Sequence, residues 1–187
     1  MIQKKDIVEM IVNRINVVEK SASKKWENVG FHARFFYIDD LLDNTIVNKI
    51  YSNFPSNLNL ELNKFNSFRE RKKTFAKIDN LDPIIVAVTD AFHDKRVIKC
   101  IEKITKILNL KADSSLYAGG LSMMDKDDFL NPHIDNSHDS QKKIFRRLNL
   151  LYYISPNWLE TYGGNLELWD HKVNRKITIH SKFNRLV

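Results

Sequence analysis

Residues 131 to 170 read NPHIDNSHDSQKKIFRRLNLLYYISPNWLETYGGNLELWD, and the order of the parts within this stretch decides the fold. His133 and Asp135 stand one residue apart. An extended backbone sends alternate side chains to one face, so both can point at a single ion. Imidazole with carboxylate is the ligand pair of open-sided iron(II) sites, which need a second His further along. In isolation the tripeptide reads better as a surface His beside an Asp. The downstream residues change that reading. Leu148 to Ile154 is an apolar, β-type run, and Gly163-Gly164 leads into Asn165 to Trp169, where Leu166 and Leu168 alternate with Asn165 and Glu167.

Taken together, HID, LNLLYYISPNW, GGNLELW and the ending KFNRLV resemble, in order and spacing, the 2-oxoglutarate and iron(II)-dependent oxygenases, in the prolyl 4-hydroxylase-like branch. The resemblance is close over roughly the last third of the chain. More loosely, Phe36 to Leu42 (FYIDDLL) resembles the segment that opens such domains. Leu116 to Asp135 resembles the strand and loop that enter the metal site. The resemblance implies an α+β fold with a double-stranded β-helix core, jelly-roll and cupin-like, behind an N-terminal helical layer.

The same resemblance implies the chemistry. His133 and Asp135 match the first two iron(II) ligands, and no catalytic residue is expected beyond the metal ligands. Related halogenases lack the carboxylate, so Asp135 favours hydroxylation. Period-two alternation puts Asn149, Leu151 and Tyr153 on one face of their run and Leu148, Leu150 and Tyr152 on the other. By resemblance, the first face lines the 2-oxoglutarate pocket. Tyr153 donates there to the distal carboxylate, Asn149 offers an amide, and Leu151 and Leu166 form apolar walls. A core aromatic with a satisfied hydroxyl is the other reading of Tyr153. Met123 and Met124 stand where the hydroxylases often carry a Tyr. His138, in the turn, reads as a loop or supporting residue rather than a ligand.

Family members continue past the equivalent of KFNRLV to the second His and then to an Arg or Lys that pairs with 2-oxoglutarate. The sequence stops at Val187 without either. The expectation is therefore a C-terminally truncated form of a longer enzyme, or a remnant with an incomplete site. Of the later histidines, His171 and His180, the second precedes the NRLV strand, where the family has no ligand, and is a weak substitute. Missing strands would leave ladder groups and apolar surface open, which a homo-oligomer, a swapped strand or the helical half would cover.

The whole chain fits that frame. Its 187 residues, 43% apolar, suit one soluble domain with a sizeable core. Residues 1–112 read as mainly helical support and 113–187 as the β-rich core. Lys4, Lys5, Asp6 and Glu9 exclude a signal peptide, and no apolar run approaches a membrane span. The single Cys100 excludes an internal disulfide and suits a buried helix position in the cytoplasm. A formal charge of +7 raises the question of nucleic acid, but the cations are spread out. Only RERKK (Arg69 to Lys73) and KKIFRR (Lys142 to Arg147) cluster. The first reads as a solvated face or loop, and the second lies where an acidic substrate or the cosubstrate would approach.

Helical periodicity predicts an amphipathic helix over Lys5 to Lys20, closed by the polar break SASKK. The aromatic and β-branched run His32 to Ile38 predicts a strand. A helix follows the Asp43 cap, with Ile46, Val47, Ile50, Tyr51 and Phe54 inward and Pro55 ending it. SNLNLELNKFNS (56–67) reads as loop, or as loop with a short strand in it. Asp82-Pro83 opens a helix to about Phe92, and Asp94 caps another with Val97, Ile101, Ile104 and Leu108 on its buried stripe. The expected function is an iron(II)- and 2-oxoglutarate-dependent dioxygenase, supported by ascorbate, that hydroxylates a peptidyl proline, an amino acid or a small metabolite. The alternative is a non-catalytic binding or scaffold domain that keeps the fold without a complete metal site.

Overall fold

The computed structural model describes residues 2–27, 31, 33–55, 63–113, 115–117 and 119–187. His32 and most of the expected Asn-rich loop lie outside the described residues. The first half is helical. Helix α1 spans Lys4–Glu27 and buries Ile7, Val8, Ile11, Ile15, Ala22 and Trp26. It therefore runs through SASKK, contrary to the break expected there. Ala22 and Trp26 continue the buried stripe on the helical period, so packing outweighs the polar composition. Trp26 meets Phe36 edge-on, with ring centroids 6.3 Å apart.

Residues 33–37 form no strand, contrary to expectation; only Ile38 makes an antiparallel bridge, to Leu186. Phe36 and Ile38 are instead buried in the helical core. Helix α2, Asn44–Ser52, starts where Asp43 accepts a hydrogen bond from the Thr45 amide at 2.8 Å. Ile46, Val47 and Ile50 are buried as expected. Tyr51 is not: it is 47% exposed, one residue further round the helix than the buried stripe.

Strands β1 (Asn63–Asn66) and β2 (Glu70–Phe75) form an antiparallel hairpin. RERKK, expected as a solvated face or loop, thus contributes most of a strand. Its cations meet the acidic loop that precedes the HID motif. Arg71 Nε lies 3.2 Å from Asp128 and donates through Nη2 to the Asp127 carbonyl, and Lys73 pairs with Asp125.

Helix α3 spans Pro83–Phe92 and α4 spans Lys95–Thr105, capped by Asp82 and Asp94 as expected. Both pack on α1. Val97, Ile101, Ile104 and Cys100 are buried. Leu108, expected on that stripe, is 72% exposed, because α4 ends at Thr105 and Lys106 turns left-handed with φ 59°. Among the described residues, no helix is long and apolar enough to cross a membrane.

Short strands fill the second half: β3 (Leu121–Met123), β4 (Phe129–Leu130), β5 (Tyr152–Tyr153), β6 (Leu166–Trp169), β7 (Lys176–Ile179) and β8 (Arg185–Leu186). Strand β2 pairs with β1, β3 and β4 in one antiparallel sheet, and β5–β8 and β6–β7 form two-stranded sheets. The fold is mixed α+β with small antiparallel sheets. In the run Leu148 to Ile154, the expected alternation holds in the packing except at Tyr153, which is half-buried although it shares the face of Asn149 and Leu151. Leu148, Leu150, Tyr152 and Ile154 pack against the helical core, while Asn149 and Leu151 are exposed.

One side chain fastens the two halves. Asn184 is fully buried, has φ 61°, and uses both ends of its amide. Its Nδ2 donates to the Leu42 carbonyl at 2.7 Å and to Asn44 Oδ1 at 3.0 Å. Its Oδ1 accepts from the Leu42 amide at 3.1 Å and from the Tyr152 hydroxyl at 2.8 Å. Beside it, Arg185 grips Asp39 with two bonds, of 2.6 and 3.0 Å. The Arg185 guanidinium holds the Asp39 carboxyl below its usual pKa, although burial works against this.

Stability should respond at both positions. Asn184→Leu strands several buried donors and acceptors and should cost about 3 kcal/mol in urea unfolding; a loss below about 0.5 kcal/mol would show that the fastening is not needed. Asp39→Asn should cost about 2 kcal/mol at neutral pH. Because the folded-state pKa of Asp39 is lowered, its contribution is complete above the unfolded value near pH ~4. The difference between parent and variant should shrink as the pH falls through the lower folded value. A difference that stays constant into acid would contradict the ion pair.

Candidate metal centre

Strand β4 delivers the chain to Asn131, which is pinned to the turn between β1 and β2. Its backbone amide donates to the Arg69 carbonyl at 2.9 Å and its side-chain Nδ2 to the Phe68 carbonyl at 2.8 Å. The Asn131 carbonyl in turn accepts from His133 Nδ1 at 2.8 Å. A carbonyl oxygen only accepts, so Nδ1 carries a proton and Nε2 is turned outward. Nε2 faces Asp135 Oδ1 at 3.1 Å.

Two acceptors facing each other at this distance need a proton or a cation between them. Imidazole and carboxylate ligands lie about 2.1 Å from a bound divalent ion. Two such ligands at a right angle are therefore about 3.0 Å apart, close to the observed 3.1 Å. The pair thus fits a divalent ion as two neighbouring ligands, one neutral and one anionic. Among the described residues, no group of three or more His, Cys, Asp and Glu gathers as a metal site.

The far side of Asp135 is held as well. Its Oδ2 accepts from Asn149 Nδ2 at 2.6 Å, and Asn149 Oδ1 accepts from Arg146 Nε at 2.6 Å. Arg146 Nη1 is 4.0 Å from Asp135 Oδ2. Burial raises the Asp135 pKa, but the opposing effects, led by the Asn149 amide and the Arg146 charge, outweigh it, and the net shift is downward. The carboxylate is ionised at neutral pH, as a ligand must be.

The structure therefore brings Asn149 to Asp135. Tyr153 belongs to the β5–β8 ladder, half-buried. Burial raises its pKa against the opposing charge of Arg185, so its hydroxyl keeps its proton. Leu151 is 38% exposed on the same run and Leu166 is half-buried in β6. His138 takes part in a contact with the Ser137 hydroxyl at 2.8 Å and stacks on Phe145 at 4.2 Å. His180 Nε2 faces Glu160 at 3.7 Å, in a separate cleft of about 410 Å³ that includes Phe35, Tyr37 and Trp158. Sequence reasoning did not find Asn131 or Arg146. Asn131 opens the NPHID motif, and Arg146 lies three residues before Asn149 in the KKIFRR cluster; both signals are readable only once the pairings are known.

Residues 119–187 match the 2OG-Fe(II) oxygenase superfamily. This span contains His133, Asp135, Asn149, Leu151, Tyr153 and Leu166, and it supports an oxygenase-type enzyme, with iron(II) and 2-oxoglutarate, at the level of the family. No curated protein and no solved structure matches the chain. In the matched span, β4 and the Asn131 loop supply the two candidate ligands, and the run before β5 supplies the amide behind Asp135.

Weak binding of Mn(II), standing in for iron(II), is expected by calorimetry, and Asp135→Ala should abolish it. Equal affinity in the parent and the variant would remove this pair from any ion site.

Proposed function

We propose that this chain carries the metal-binding region of an iron(II)- and 2-oxoglutarate-dependent dioxygenase of the prolyl 4-hydroxylase-like branch, one that hydroxylates a peptidyl proline, an amino acid or a small metabolite. The observation that carries the reading is the convergence of His133 Nε2 and Asp135 Oδ1 inside the span that matches the superfamily. In this reading the short antiparallel sheets belong to a double-stranded β-helix core.

Iron(II) and 2-oxoglutarate, when bound, supply the oxidising chemistry, with succinate and CO2 as co-products and ascorbate as a supporting reductant. The chain's own residues hold and orient. His133 offers its free Nε2 because Asn131 keeps the ring proton on the opposite nitrogen. Asp135 supplies the negative charge. Tyr153, kept protonated by burial, would donate its hydroxyl to the distal carboxylate of the cosubstrate. Leu151 and Leu166 would shield the cosubstrate's methylene groups from water, and Asn149, bonded to Asp135, would border the same pocket.

A second reading is a binding or scaffold domain that keeps the fold without a complete metal site. It is favoured by one observation: among the described residues, no third metal-binding side chain joins the pair. Binding of 2-oxoglutarate separates the two. In the dioxygenase reading, Mn(II) tightens it, and Tyr153→Phe weakens it by about 1 kcal/mol, the scale of one lost hydrogen bond. Succinate formed under iron(II) and ascorbate, and lost in Asp135→Ala, would support the enzyme. Equal 2-oxoglutarate affinity with and without Mn(II), and in Tyr153→Phe, would favour the scaffold.

A further inference from the structure

A carboxylate with two free oxygens can bind an ion through either one or through both, and it can rotate away from a neighbouring imidazole. Asp135 does not have that freedom. Its Oδ2 accepts from Asn149 Nδ2 at 2.6 Å, which leaves Oδ1 facing His133 Nε2 at 3.1 Å. Asn149 lies on an exposed part of its run, where an amide would ordinarily turn freely in water. Here the amide is oriented from behind, because its Oδ1 accepts from Arg146 Nε at 2.6 Å. A guanidinium only donates and a carboxylate only accepts, so the intervening amide has one orientation that satisfies both: carbonyl toward Arg146, nitrogen toward Asp135.

We propose that Arg146 and Asn149 form a positioning relay that fixes Asp135 so that Oδ1 alone is presented beside His133 for ion binding. The proposal rests on the reading of His133 and Asp135 as ligands. Neither Arg146 nor Asn149 touches the ion; Arg146 acts through the amide. The sign of its effect separates this role from a plain charge. Arg146 Nη1 stands 4.0 Å from Asp135 Oδ2. A cation so close to the ligand would by charge alone repel a divalent ion, so removing it would strengthen binding. A positioning Arg146 does the reverse.

The test measures Mn(II) affinity and the Mn(II) electron paramagnetic resonance spectrum for the 187-residue chain and for Asn149→Ala, Arg146→Ala, Arg146→Lys and the double Ala variant, with circular dichroism as a check on folding. Loss of a group that supports a metal ligand typically weakens binding about 10- to 100-fold. Asn149→Ala should fall in that range. Arg146→Ala should weaken binding by a smaller factor, Arg146→Lys should recover part of it, and the double variant should be no worse than Asn149→Ala. Tighter binding in Arg146→Ala, or losses that multiply in the double variant, would overturn the relay.

A second measurement needs no metal. In the ion-free chain, the Asn149 side-chain amide resonances should shift in Arg146→Ala and in Asp135→Ala. Resonances that move in neither variant would overturn the relay by themselves. If the parent binds no Mn(II) while these resonances do move, the ligand reading fails and the relay between the three side chains stands.

Discussion

The fold depends on one buried amide. Asn184 bonds at once to both backbone groups of Leu42, to Asn44 at the start of α2, and to the hydroxyl of Tyr152 on β5. These partners come from the helical half and from the span 119–187. An Asn with φ 61° suits the position sterically, since a short polar side chain tolerates the left-handed region. Around this point the Ile38–Leu186 bridge and the Asp39–Arg185 pair close the same seam. The helical core and the β5–β8 ladder are thereby made parts of one packed structure, because a buried amide left without partners costs more than the bond itself is worth.

The candidate pair, His133 and Asp135, is contacted from two directions that share no residue. Asn131, tied to the turn between β1 and β2, sets the ring of His133. Asn149, on the run leading into β5, sets the carboxylate of Asp135. The basic strand β2 supports the first arm, because Arg71 and Lys73 neutralise the acidic loop 125–128 that leads into it. Part of the chain's positive charge is therefore spent locally, against carboxylates a few ångströms away. Net charge describes the whole molecule and does not report where cations are already paired.

What could be read directly was local. Asp43, Asp82 and Asp94 cap α2, α3 and α4 because a carboxylate can reach the amide two residues ahead. The apolar stripe of α1 and the spacing of His133 and Asp135 likewise need only a helix or an extended segment to have meaning. The errors share one cause. The break at SASKK, the strand before Ile38 and the inward Tyr51 are expectations from a few residues of sequence, whereas each is settled by what packs or pairs against it, as is the pairing of the solvated RERKK run with the acidic loop. Ala22 and Trp26 join the helical core, Phe36 joins it too, and Arg71 meets Asp128.

By itself, then, the sequence determined the helices, their caps, the alternation from Leu148 to Ile154 and the identity of the two candidate ligands. These depend on interactions within a turn or two of chain. Tertiary structure alone decided that Asn131 orients His133, that Asn149 and Arg146 stand behind Asp135, and that Asn184 joins the halves. Leu42 and Asn184 are 142 residues apart, and no period or cap relates positions so distant. An Asn carries the same donors and acceptors in a loop, at a seam or behind a ligand, and only the folded chain brings it the partners that give it a role.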